Sequence, residues 1–195
     1  MPKILTNVKE DICRTTRRML DEEGYESLNI RAIAGKCGIG MGTIYNYYHA
    51  KEEIVAEIVM GDWNLILRRM DQSVRAPGEP LAKLSAMFGL LQEFIVGFHG
   101  TWMQMSLASE PAPDRESIRC RRNDYRHQLA ERVAAAVGTG SVVPDPFCMD
   151  LVARLFLSYA PEPGFRFEKL VPAIAGILTG CGGAALPGAI PESRD

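Results

Sequence analysis

Apolar residues recur at helical spacing along most of this chain. Val8, Ile12, Met19 and Leu20 form one stripe between Asn7, a residue able to cap a helix start, and Gly24, one suited to end it. Ile30, Ile33, Ala34 and Cys37 form a second, shorter stripe between Asn29 and Gly38. Glu52 and Glu53, acids suited to the positive end of a helix, open a long segment. Its stripe of Ile54, Val55, Ile58, Val59, Ile66, Leu67 and Met70 runs to the break at Ala76-Pro77-Gly78. Beyond that break the pattern predicts helices over Pro80 to Phe98, Thr101 to Ala108, Asp114 to Val137, Pro146 to Tyr159 and Arg166 to Thr179. Gly100, the Pro111 to Pro113 pair, the loop from Gly138 to Pro146 and the run from Pro161 to Gly164 separate them.

One segment is ambiguous. Thr43-Ile44-Tyr45-Asn46-Tyr47-Tyr48 is rich in β-branched and aromatic residues, and on propensity alone it reads as a strand. Gly42 also weakens a helix by roughly 1 kcal/mol relative to Ala. Both neighbours are helical, and tertiary packing overrides so short a signal, so a helix opening at Gly40 or Met41 is expected. The class is then all-α, with nine helices.

Charge alters the picture locally. The whole chain carries a formal charge of −2 and a pI near 6.0, which gives no general support for nucleic-acid binding. From Ser27 through Lys51, however, there is no Asp or Glu, while Arg31, Lys36, His49 and Lys51 fall inside. The five cysteines, Cys13, Cys37, Cys120, Cys148 and Cys181, are scattered and form no C-x-x-C pair. That spacing suits reduced thiols better than a disulfide framework or zinc site. No run is long and apolar enough to span a bilayer, and the start lacks the apolar core of a secretory signal, so a cytoplasmic protein without membrane association is expected.

The decisive pattern is Gly24-Tyr25, Ile30-Arg31-Ala32-Ile33-Ala34, Gly38-Ile39, Gly42-Thr43-Ile44-Tyr45, and Tyr47-Tyr48 followed by Lys51-Glu52-Glu53-Ile54. From roughly Val8 to Val59 the chain resembles the DNA-binding domain of the TetR family of bacterial transcriptional repressors. The resemblance implies a helix-turn-helix domain over residues 1–50, a helical ligand-binding and dimerisation domain over 51–180, and a loose tail over 181–195. It implies that Asn29 caps the second helix and touches a phosphate, that Arg31 adds a backbone or minor-groove contact, and that Lys51 meets a phosphate. Gly42, Thr43 and Asn46 lie on the reading face of the third helix, where Asn pairs bidentately with adenine. Tyr45 and Tyr47 offer hydroxyls to phosphate and rings to thymine methyls, and Tyr48 packs inward. Gly40 departs from the family, in which a Ser or Thr often caps this helix; Gly caps less strongly.

The resemblance further implies a homodimer on palindromic operator DNA, released by a small hydrophobic effector. Trp63, Phe94, Phe98, Trp102, Met103 and Phe147 are the candidate effector contacts, drawn from an apolar, methionine-rich surface. Leu151, Val152, Leu155 and Phe156, with Leu170, Ile174, Ile177 and Leu178, form the faces expected to pair between subunits or pack within one. Arg115, Arg119, Arg121, Arg122, Arg126 and Arg132 make the segment after Asp114 basic, as a solvated face or an anion contact. Asp124, His127 and Glu131 share one helical face but supply only one of the two carboxylate–histidine pairs a metal bundle needs. No enzyme, cofactor or metal is therefore expected. The alternative is a DNA-binding protein of the same fold without an inducer, controlled by a protein partner.

Overall fold

The computed structural model describes residues 7–108, 115–138 and 145–180, excepting the side chains of 98–108 and 115–123. Among the described residues there are eight α-helices and no strand: α1 Val8–Glu23, α2 Ile30–Cys37, α3 Met41–Tyr45, α4 Lys51–Arg75, α5 Pro80–Ala108, α6 Arg115–Val137, α7 Pro146–Tyr159 and α8 Val171–Gly180. Single 3-10 turns cover Tyr25–Ser27 and Phe167–Lys169. The all-α class holds, and the ambiguous segment after Gly40 is helical.

Two expectations are corrected. The helices over Pro80 to Phe98 and Thr101 to Ala108 are one helix, α5, which passes through Gly100. A lone Gly costs a helix roughly 1 kcal/mol and does not break it, and no proline falls between. The last helix begins at Val171, five residues after the expected Arg166. Pro172 explains the late start: proline lacks an N–H and fits only the first helical turn, so residues before Val171 form a 3-10 turn instead.

The chain divides into two compact units, one of residues 1–65 with 97–112 and the other of 66–96 with 113–195. The boundaries fall inside α4 after Leu65 and inside α5 after Val96, so the early turns of α4 belong with the three helices that precede it. In the first unit Ile12, Ile33, Ile44, Ile54 and Val55 are fully buried, with Met19, Leu28 and Trp63 nearly so.

In the second unit the core is a cluster of rings. Phe88 of α5 meets Phe156 of α7 edge-on, with centroids 5.3 Å apart. It also meets Phe165 at 6.2 Å and Phe167 at 5.9 Å. Val152, Phe156, Leu170, Ile174 and Leu178 are buried within this unit, whereas Leu151, Leu155 and Ile177 remain half-buried. The apolar faces of the last two helices therefore serve the subunit's own core first. Arg126 pairs with Asp150 at 2.7 Å and Arg132 with Asp71 at 2.9 Å, so these two arginines of α6 are internal ties, not part of a free basic face. The other four lie outside the described side chains.

Cys13 and Cys37 are free thiols, but Cys148 is disulfide-bonded. This corrects the expectation of reduced thiols throughout. Among the described residues no helix is long and apolar enough to cross a membrane.

Candidate DNA-binding interface

The reader is built from short, well-ended helices. Asn29 stands in extended conformation at the start of α2, and its Oδ1 accepts the Ala32 N–H at 2.8 Å. Gly38 ends α2 in the left-handed region (φ 70, ψ 31), where a side chain would be strained. Its neighbour Ile39 donates its N–H to Ala34 O at 3.1 Å, closing the turn. Gly40 then opens α3 without a side-chain cap, as its lack of a side chain requires. At the start of α1, by contrast, Asn7 holds the capping position but makes no cap bond to the backbone; its amide donates to Glu10 at 2.7 Å.

Helix α3 sorts its residues cleanly by face. Ile44 is fully buried and Tyr48 nearly so, which anchors the helix from beneath. Met41, Tyr45 and Tyr47 are 47%, 51% and 46% exposed. Gly42 and Asn46 are exposed too, and Thr43 is half-buried. Three of the six large apolar side chains that are exposed among the described residues thus crowd onto this one short segment. Arg31 on α2 is also exposed. Met41 was not among the residues picked out from sequence; its spacing of four from Tyr45 was the available signal.

Beneath the reader, α4 is fastened by polar contacts that sequence reasoning did not foresee. Tyr48 donates to Glu57 at 3.1 Å, so its oxygen is left to accept from the Cys13 thiol at 3.2 Å. Lys9 completes the set with an ion pair to Glu57 at 2.8 Å. Burial, then the bonds to Cys13 and Glu57, push the Tyr48 hydroxyl above its ordinary range, and burial pushes the Cys13 thiol up. Both groups are therefore neutral donors at neutral pH. Nearby, buried Tyr25 donates to Glu52 at 3.0 Å; burial first and this carboxylate second hold its hydroxyl well above the usual value. Arg17 of α1 pairs with Asp62 at 2.6 Å.

Lys51 makes contacts within the chain that its expected phosphate role did not include. Its Nζ donates to Leu28 O at 2.9 Å and lies 4.3 Å from the centroid of the Tyr25 ring. The ammonium braces the first turn of α4 against the loop before α2. Lys51→Met is therefore expected to lower stability by about 1–2 kcal/mol, since it removes a charged hydrogen bond and a cation–π contact. Urea denaturation reads that loss. The slope of log affinity against log salt distinguishes the brace from a phosphate contact. A brace leaves the slope unchanged, whereas losing one phosphate contact in each half of a dimer lowers it by about 2.

Three of the six expected effector residues have described side chains. Trp63 is buried in the first unit and Phe94 is half-buried in the second. Phe147 is 69% exposed, because it sits in the first turn of α7 directly after Asp145 and Pro146. Phe98, Trp102 and Met103 lie outside the described side chains. His127 faces Glu131 at 3.8 Å with both side chains mostly exposed, the geometry of a solvated ion pair. Among the described residues no three His, Cys, Asp or Glu side chains converge.

Residues 12–58 match the model of the bacterial regulatory proteins of the tetR family, the stretch that runs from the second turn of α1 through the first turns of α4. This stretch is a DNA-binding domain of the TetR family of transcriptional regulators. The repressor KstR2 of Mycolicibacterium smegmatis is 24% identical to this regulator over 149 residues, 75% of this chain and 72% of that one. A TetR/AcrR regulator from Thermobifida fusca superposes with a TM-score of 0.57 at 22% identity, covering 88% of this chain and 97% of its own. FadR of Thermus thermophilus, a TetR-family repressor solved with lauroyl-CoA, gives 0.57 at 19% identity, with 88% and 94% covered. The family is one of transcriptional regulators, not of enzymes.

Proposed function

We propose that this TetR-family regulator is a cytoplasmic homodimeric repressor that reads a palindromic operator and is released by a small molecule with an apolar body. The observation that carries the DNA-binding part is the outward set of Met41, Gly42, Tyr45, Asn46 and Tyr47, standing on buried Ile44 and Tyr48 inside a stretch free of acids. Asn29, Arg31 and Thr43 flank that set and supply backbone or base-edge contacts. Two copies place two such helices in successive major grooves about one DNA turn apart. Exposed Ala173 and Gly176 on α8, beside half-buried Ile177, allow the close helix approach that a dimer needs.

The effector part rests on the relatives: KstR2 is a repressor, and FadR binds a fatty acyl-CoA. The polar ties from α4 to Tyr25, Leu28 and Tyr48 give bound effector a lever, since any shift of the early turns of α4 is felt at α3. The alternative of a partner-controlled protein differs in having no such response.

Titration with a palindromic duplex tests the proposal. The wild type is expected to bind, and lauroyl-CoA, as the first probe, to weaken binding five- to 150-fold, the range of about 1–3 kcal/mol of coupling. Gly42→Ala supplies the control. Nothing lies within 4 Å of the added Cβ, and Ala favours helix by roughly 1 kcal/mol, so the fold is expected to hold or gain stability. Its affinity for the duplex is nevertheless expected to fall about tenfold, because the methyl stands where the backbone approaches the groove. An unchanged affinity of Gly42→Ala refutes the reading face, and indifference to every acyl-CoA tried favours the partner-controlled alternative.

A further inference from the structure

Helix α3 and its flanks, from Gly38 through Tyr48, contain no charged side chain. The commonest way to read a base pair in the major groove, an Arg or Lys on the O6 and N7 of guanine, is therefore absent from the reading face. What the face offers instead is one exposed amide, Asn46, and a pair of exposed apolar groups four residues apart on one side, Met41 and Tyr45. Asn pairs bidentately with adenine N6 and N7, and apolar groups contact the C5-methyl of thymine, which cytosine lacks.

Resting on the DNA-binding reading above, we propose that α3 reads A·T pairs and that Met41 is a specificity-determining residue, recognising a thymine methyl in each half-site. Several features make Met41 suited to this. It is the first residue of α3, the end that leads into the groove in helix-turn-helix docking. It carries no burden in the core, with nearly half its surface open to solvent. Its unbranched thioether adapts to a methyl at low cost. Gly40 and Gly42 on either side carry no side chain that could stand between Met41 and a base edge.

The test begins with selection of duplexes from a random pool by the full-length wild-type chain. The selected half-sites are then remade with deoxyuridine in place of thymidine, one position at a time, which removes the methyl and keeps the pairing. Burial of one methyl is worth about 0.8 kcal/mol, so one replacement in each half-site should weaken wild-type binding roughly fifteenfold, about fourfold per half-site. Met41→Ala should bind the thymidine duplex more weakly by a similar factor and should be insensitive to deoxyuridine at that one position. Met41→Leu, which keeps an apolar side chain, should restore the sensitivity. Helicity by circular dichroism confirms that both variants fold, as expected for an exposed site.

Selected half-sites whose core holds only G·C pairs would overturn the proposal. So would a deoxyuridine effect that persists undiminished in Met41→Ala, or the lack of any such effect in the wild type. All three outcomes leave DNA binding itself intact. Enrichment of no duplex overturns the DNA-binding reading and this proposal with it.

Discussion

Asn46→Ala is expected to weaken binding to a selected palindrome by about 30-fold to 10⁴-fold while leaving the protein folded. One bidentate side-chain pair with a base is worth about 1–3 kcal/mol of discrimination, and a homodimer loses two of them. The stability cost is small because Asn46 is exposed, follows the last residue of α3 with right-handed helical backbone angles, and is held by its own N–H bond to Gly42 O. Ala suits those angles better than Asn does. The loss should be confined to specific sequences. Affinity for random duplex should not change, because that term comes from phosphate contacts, and for the same reason the salt slope should keep its wild-type value. A gel-shift titration with selected and scrambled duplexes at two salt concentrations measures all three quantities. Equal losses on both duplexes would place Asn46 on the phosphate backbone instead of a base edge.

The parts of this regulator that were legible in the sequence are those fixed by local chemistry. Gly24 and Gly38 announced helix ends because only glycine takes their positive φ without strain, and both have it. Asn29 announced a cap and makes one. Tyr48 read as core and is buried. α3 was legible only through its neighbours, since its own residues favour a strand; buried Ile44 and Tyr48 hold it helical against that preference.

What stayed hidden depends on pairs far apart in the chain. The Lys51–Leu28, Tyr25–Glu52 and Cys13–Tyr48–Glu57 contacts join residues separated by nine to thirty-five positions, and no spacing rule pairs them. Lys51 shows the consequence. Its position at the mouth of a helix suits a phosphate equally well, and only the carbonyl of Leu28 beside it reveals the brace. The same holds for α5, where the cost of one internal glycine is too small to decide between one helix and two without the tertiary frame.

Phe88→Ala is expected to cost about 3–5 kcal/mol, the largest stability loss of any substitution argued for this chain. The side chain is 1% exposed and touches Phe156, Phe165 and Phe167, so its removal deletes buried apolar area, leaves a cavity, and abolishes an edge-to-face pair. A domain's whole stability is about 5–15 kcal/mol, so the second unit would lie near its unfolding threshold. Phe88→Leu keeps much of the volume and should cost far less. The functional consequence follows from what the cluster holds in place. Phe156 belongs to α7, and Phe167 opens the 3-10 turn that leads into α8, the two helices proposed to meet their counterparts in a second subunit. Loosening Phe88 should therefore weaken self-association along with stability. Sedimentation at several concentrations should show Phe88→Ala dissociating where the wild type remains dimeric, and palindrome affinity should fall with the dimer while affinity for a single half-site changes little. If the dimer survives as the urea midpoint drops, subunit pairing does not rest on α7 and α8.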